Sequence, residues 1–367
     1  MKSNYKRLGD IITPVSVKNT DMLTSDLRGV NYQKFFMKSV ANIIGVDLSG
    51  YKLVKKGQFA CNLMHVGRDE CLPIALHREE EPIIVSPAYL SFEVKNESEI
   101  LSEFLFLWFK RKEFDREACF YTDADVRQGL IKSSFYDIKV PVPPIEVQRA
   151  IVAEYQAVER RIENNRRLIA TLEATAQTIY RHMFVDDIDP ANLPHGWRMG
   201  SVIELSDLRV GGDKPSIISD IKSEKCPIPI FSNGIENDGL YGFTNKASIE
   251  ANTFTISARG TIGKCFLRFS PYYSIVRLIS VIPHNPDTLF YQYHFFTNHQ
   301  IEGDGSVQNQ LTAPFLSGEK MLLPPIEKMT KFATLAAPLY RGTERLKSES
   351  SLLVKLQELL HSKLSKH

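Results

Sequence analysis

The sequence predicts a mixed α/β protein of two modules in tandem, each leading into a long helix, with the two helices packed along one another. Three observations carry this. From Pro143–Pro144 to Phe184 the chain has no further proline or glycine, and its interior is filled with Ala, Glu, Arg, Leu and Gln, the residues that favour helix. Within that stretch apolar residues recur by sevens. Tyr155, Ile162, Ile169, Ala176 and Met183 form one line and Val158, Leu172 and Ile179 the other, with Asn165 as a polar interruption. A helix of this length is about 60 Å long, too long for an ordinary globular core, so it needs a helix to pack along. The third observation supplies that partner. The PPIE that opens the stretch at Pro143 recurs at Pro324, and the same offset of 181 carries the seam onto Leu339, Leu346, Leu353, Leu360 and Leu364. Leu346 occupies the place of Asn165. A repeat this long is a duplicated module, not a solenoid.

The length of 367 residues and the 43% apolar content suit two to three globular domains. The opening MKSNYKRLGD has no apolar core of a signal peptide, and no window nears 18 uninterrupted apolar residues, so neither a leader nor a membrane span is expected. Five scattered cysteines without a C-x-x-C pair fit neither a disulfide framework nor a zinc site, and point to the reducing cytoplasm. Net charge is +2, and residues 1–145 carry 20 basic against 19 acidic groups. This excludes a strongly non-specific nucleic-acid binder; DNA contact would rest on a few placed side chains or on a partner's grip on phosphates.

The elements follow in order. Tyr5–Ile12 is a short strand or a brief helix; Lys52–Phe59 alternates into a turn; Pro82–Pro87 is a short buried strand between prolines; and Leu90–Val94 alternates again. Glu97–Phe120 reads as helix, apolar on most faces and ending near the cationic Lys110-Arg111-Lys112, a solvated helix end or a DNA contact. A loop and a strand then feed the first long helix. The boundaries are 1–142 for the first module, 143–185 for its helix, 186–196 for an acidic proline-bearing linker, 197–323 for the second module and 324–367 for the second helix. Trp197–Ile203 loosely echoes Tyr5–Ile11. Arg209–Pro215 contains a glycine loop, Thr253–Phe269 reads as a hairpin turning at Ala258–Gly260, and Pro286–Ile301 as an aromatic-rich helix. Its aromatics Tyr291, Tyr293, Phe295 and Phe296 belong to a core, since base stacking is a single-strand device. GSVQNQLTAPFLSGEKMLLPP aligns without gaps to RQGLIKSSFYDIKVPVPP. Pro338, followed by Gly342, is expected to kink or break the second helix.

Taken together, the doubled PPIE, the LPHGW opening the second module, the GGDKP loop, Ser257–Gly263 and Val85–Tyr89 resemble the specificity subunits of type I restriction-modification systems. The resemblance covers nearly the whole chain. It departs from the usual Glu-Gln after the proline entry, having Val147-Gln148 and Lys328-Met329 instead. It implies two target-recognition domains in tandem, separated by two long antiparallel coiled-coil helices with a pseudo-twofold internal repeat. Each domain would read one half of a bipartite duplex DNA target. The helices would dock two methyltransferase subunits that methylate adenine, and restriction subunits would add ATP-dependent cutting. S-adenosylmethionine, magnesium and ATP would then belong to those partners and no cofactor to this chain. A free-standing DNA-binding regulator is the alternative reading, against which the near-neutral charge speaks.

No catalytic residue is expected here. The Pro-Pro pairs lack the Asn/Asp-Pro-Pro-aromatic pattern of adenine methyltransferases, Gly211–Pro215 lacks a P-loop, and no H-E-x-x-H occurs to hold a metal. A lone His65 or His182 is read as an ordinary surface or core residue. For base reading, forked donors and acceptors on loops are needed. In the second module these are Arg209, Lys214, Ser232, Asn233, Arg259, Thr261 and Lys264, unless the Gly260 turn merely leaves Arg259 solvated. In the first they are Arg28, Asn31, Tyr32, Lys34, Asn62 and Arg68 in polar, turn-rich stretches. Arg127-Gln128 and Gln308-Asn309 sit at equivalent loop positions, where a loop cap explains them nearly as well. The helix-pair seam is Val158, Ile162, Asn165, Ile169, Leu172 and Ile179 against Leu339, Leu346, Leu353 and Leu360, with Asn165 fixing register. Arg160, Arg161, Arg166 and Arg167 beside Glu159 and Glu163 leave a charged outer surface on which a partner could dock.

Overall fold

The computed structural model describes residues 4–39, 45–64, 66–123, 129–299 and 311–364. The sequence positions His65, Arg127, Gln128, Gln308 and Asn309 lie outside these. The chain divides into two compact units, Met1–Asn164 with Glu349–His367, and Asn165–Ser348. The division runs through both long helices, because each half-helix is buried in a different core.

The first unit is organised on a four-stranded antiparallel sheet ordered Ile12–Val15, Leu90–Val94, Phe59–Cys61, Ile74–Leu76. Phe59 lies opposite Phe92 in the ladder and their rings stack at 4.9 Å, both fully buried. Helix Ser102–Phe109 covers this sheet with nearly every side chain buried. The helical stretch expected over 97–120 is two helices, Ser102–Phe109 and Lys112–Phe120. Their junction corrects the reading of the cationic run as a solvated end. Arg111 is buried with its guanidinium 3.9 Å from the Trp108 ring, and Lys110 lies over Phe106 and Tyr155 while pairing with Glu159 at 2.9 Å. The aromatic faces partly replace the water these cations lose at a crowded helix junction, and burial still lowers the pKa of Arg111.

The second unit repeats the same sheet order with different residues: Ser206–Val210, Ile279–Pro283, Thr253–Ile256, Cys265–Arg268. In each unit the entering strand pairs antiparallel with the strand that leads into a long helix. Tyr5–Arg7 pairs with Lys139–Pro141, and Arg198–Ser201 with Lys320–Leu323. The short helices before those exits, Lys132–Asp137 and Ala313–Gly318, differ by the offset of 181 seen in the sequence. The aromatics of helix Leu289–Asn298 face the core, with Tyr291 and Phe296 almost wholly buried.

The long helices span Ile145–Phe184 and Ile326–Lys363. In the first unit Tyr155 stacks on His361 at 4.9 Å and Arg161 donates from Nε and Nη2 to the two carboxylate oxygens of Glu349 at 2.8 and 3.1 Å. In the second, a Cβ on Gly342 would come 3.2 Å from Leu172, and the rings of Tyr180 and Phe184 lie 6.0 and 5.4 Å from Phe332. Within each unit later residues of one helix therefore meet earlier residues of the other, an antiparallel pairing. Ile162, Asn165 and Ala176 are buried; Val158, Ile169, Leu172, Ile179, Leu339, Leu346, Leu353 and Leu360 are half-buried. The break expected at Pro338 does not occur, and the helix continues through it. Phe332, Ala333 and Ala336 before it and Tyr340 and Thr343 after it are buried, which holds both flanking turns. Pro338 and Thr334, whose carbonyl loses its donor, face solvent.

Candidate nucleic-acid interface

In the second unit the loop joining Thr253–Ile256 to Cys265–Arg268 is closed by backbone bonds from Ser257 to Lys264 (2.9 Å) and from Gly263 to Ser257 (2.9 Å). Gly260 and Gly263 take φ of +70° and +79°, a region that costs other residues, so the glycines make the turn possible. Arg259, Thr261 and Lys264 stand exposed on it. Beside it lies the glycine loop. A Cβ on Gly211 would fall 2.7 Å from Ser274 Oγ and 2.8 Å from Ile275 N, so only glycine allows the two backbones to touch. Arg209 is exposed on the strand entering this loop. Lys214 bonds the Tyr241 hydroxyl, with its ammonium 4.4 Å from the ring centre.

Asn233 does a different job from the one its type suggests, and Ser232 beside it is half-buried. Ser232 N–H donates to Gly239 O at 2.9 Å. Asn233 Nδ2 donates to Val276 O and its Oδ1 accepts from Ala258 N–H, both at 2.7 Å. Both ends of the amide fork are thus spent on backbone, tying the 258–261 turn to the 276–277 turn. Sequence reasoning missed Val276 and Arg277, which join this cluster as adjacent exposed residues at φ of 54° and 61°. The only sequence signal for them is the Gly211-Gly212 pair against which they pack.

In the first unit, Asn62 and Arg68 lie on the loop between Phe59–Cys61 and Ile74–Leu76, the same connection in the sheet that carries Arg259 in the second. Asn62 Oδ1 accepts from Met64 N–H at 3.0 Å, and exposed Arg68 is paired with its neighbour Asp69 at 2.7 Å. Arg28, Asn31, Tyr32 and Lys34 belong to the neighbouring hairpin Arg28–Val30/Phe36–Lys38. Arg28 is gripped by Asp26 and by both oxygens of Glu79 at 2.7 and 2.8 Å. These bonds raise its pKa and lower that of Glu79. Asn31 Oδ1 caps Phe35 N–H at 3.1 Å. Lys34 is 5% exposed and donates to Asp115 and Phe109 O, a core role. Tyr32 is the outward member, 69% exposed. Asp115 also accepts from Leu72 N–H, and Cys71 Sγ meets Tyr32 O at 3.3 Å, so the two loops of this unit lie together.

The apolar core of the second unit also holds a polar pin. Neutral His294 donates from Nδ1 to Gln177 Oε1 at 2.9 Å and accepts at Nε2 from the Tyr340 hydroxyl at 2.8 Å, stacking on Tyr180 at 5.0 Å. Burial depresses its pKa to about 4. One side chain of the recognition core thereby holds both helices. Among the described residues no cluster of His, Cys, Asp or Glu could hold a metal, and no helix is long and apolar enough to cross a membrane.

Comparison with known proteins bears on this duplicated arrangement. Two curated proteins of Mycoplasma pneumoniae named as type I specificity subunits match it. One is 32% identical over 131 residues, covering 36% of each chain, and the other is 28% identical over 144 residues, covering 39% of this chain and 42% of that one. The chain thus spans less than half the length of either relative. The crystal structure of the S subunit of a type I restriction-modification system from M. genitalium covers 98% of this chain and 95% of its own, with a TM-score of 0.62 at 15% identity, a likeness of fold. The model of the type I restriction modification DNA specificity domain matches twice, over residues 72–174 and 194–351. Two matches in tandem, each running from a recognition sheet into a long helix, account for most of the chain, which therefore belongs to the type I restriction-modification DNA specificity family.

Proposed function

We propose that the chain is the DNA-reading subunit of a type I restriction-modification complex, each unit reading one half of a split duplex target. The observation that carries this is the repetition of one sheet order in both units, with exposed polar side chains on the same inter-strand loop, Asn62–Pro73 in one and Ser257–Lys264 in the other. Loops of this kind can present side chains to base edges in the major groove.

Catalysis is assigned to partners. Two methyltransferase subunits would bring S-adenosylmethionine and methylate adenine, and restriction subunits would bring magnesium and ATP. The docking face proposed for a methyltransferase is the outer side of the second helix in the first unit. There Leu352, Leu356 and Leu359 follow helical spacing and are 66%, 42% and 60% exposed. At the offset of 181 the other helix carries Thr171, Thr175 and Thr178, whose hydroxyls bond carbonyls four residues back.

The test is genome-wide mapping of methylated adenine with and without the gene. A motif of half-site, constant gap and half-site should vanish on deletion. Its persistence would refute the reading.

A further inference from the structure

We propose that Arg277 is a base-reading residue of the second unit, presented by a strained two-residue turn that Asn233 and the Gly211-Gly212 loop lock in place. The inference rests on the DNA-reading function proposed above.

The turn is costly. Val276 and Arg277 both adopt left-handed backbone, at φ of 54° and 61°. For a β-branched residue this conformation is a genuine outlier, and glycine would avoid the cost. Such strain persists where the surroundings over-determine it, and it collects at functional sites. Here three of the turn's backbone polar groups are engaged by neighbouring loops. Val276 N–H donates to Gly212 O and Arg277 N–H to Gly211 O, each at 2.9 Å, and Val276 O accepts from Asn233 at 2.7 Å. Ile275 and Leu278 on either side are fully buried anchors, while Val276 and Arg277 point outward.

What the turn holds out is a guanidinium without a hydrogen bond or ion pair to any described residue. Several other arginines spend theirs internally: Arg28 on Glu79, Arg198 on Glu204, Arg268 on Thr255 and the Asp238 carbonyl. Through Asn233 the turn shares one clamp with Ala258, next to Arg259. The fork of arginine matches guanine O6 and N7, a match that depends on angle as well as charge. A phosphate contact needs only a flexible cation. A rigid backbone that aims the side chain is useful when geometry decides the outcome. Asn233 is then a positioning residue, acting through the turn.

The experiment is replacement of the gene by Arg277→Ala and Arg277→Lys, with methylated adenines mapped genome-wide beside the original and a deletion strain, and with thermal melting of each purified chain. Arg277 is exposed and unbonded, so both variants should melt as the original does. In the alanine variant one G·C position of one half-site should lose discrimination by about tenfold or more, with the other half-site unchanged. Lysine should keep overall methylation while leaving that position relaxed. An unaltered motif in the alanine variant would overturn the assignment. So would an equal fall at every site, which marks a phosphate or protein contact, and so would full discrimination retained by lysine. If the original gene supports no split motif, the functional reading itself fails, and this assignment with it.

Discussion

The Tyr340 hydroxyl donates to Nε2 of His294 across 2.8 Å inside a core where both residues are at most 5% exposed. The other imidazole nitrogen is engaged by Gln177, so a residue on Leu289–Asn298 is fastened to both long helices at once. Burial keeps the ring neutral, its pKa falling from 6.5 to about 4. Because the folded pKa is depressed, this contribution is full above about pH 6.5 and is lost as pH falls toward 4. From the shift it amounts to about 3 kcal/mol.

The first prediction is therefore a pH-dependent loss of stability that His294→Phe removes. Between pH 7 and pH 4.5 the second unit should melt progressively earlier in the original chain. The variant should start lower at pH 7, by about 1–3 kcal/mol for the stranded Tyr340 and Gln177, and decline less steeply. Thermal melts of both chains across this range check it, and parallel slopes would contradict it.

Lys34 carries a structural load in the first unit. Lys34→Met leaves Asp115 without its cation in a site where the lysine is 5% exposed. A loss of about 3 kcal/mol in the first unit's urea transition is expected. The methylated motif of whatever protein folds should be unchanged, because the ammonium is turned inward. A changed base preference would return Lys34 to the reading surface.

Gly342 sets the separation of the helices in the second unit. Gly342→Ala should be close to neutral, since helix propensity gains about 1 kcal/mol while Leu172 gives way slightly. Gly342→Phe should lower stability by about 1–3 kcal/mol through overpacking. Urea unfolding of the two variants against the original separates these effects. Equal stability of all three would mean that the helices are not held at this point.

Leu356→Glu tests docking. The side chain is 42% exposed, so the isolated chain should stay folded and lose no more than about 1–2 kcal/mol. Affinity for the methyltransferase subunit proposed as its partner should fall about tenfold, as for a moderate hot spot at an apolar contact. Sedimentation of the mixed subunits reads this directly, and unchanged association would place the contact elsewhere.

Much of the architecture was legible because it depends on periodicity. The heptads of 155–183, their recurrence at 181 residues, and the matching helices Lys132–Asp137 and Ala313–Gly318 are one-dimensional patterns that backbone geometry forces into three dimensions. The candidate interface was legible only in part. The hairpin bearing Arg259 announces itself by Gly260 and Gly263, whereas Lys34 and Arg111 look like surface cations until their partners are known. Asp115 is 81 residues from Lys34, so no local pattern could show the pair.

The chain's own order of residues settles that there are two modules and two helices of one design, since propensity and spacing act locally. Folding alone decides which polar groups face outward. Asn233 has an ideal fork for adenine, yet its amide is consumed by Val276 and Ala258. Arg277, without any motif of its own, is left with its fork open. Hydrogen-bond capacity is finite, and only the packed structure allots it between backbone and surroundings.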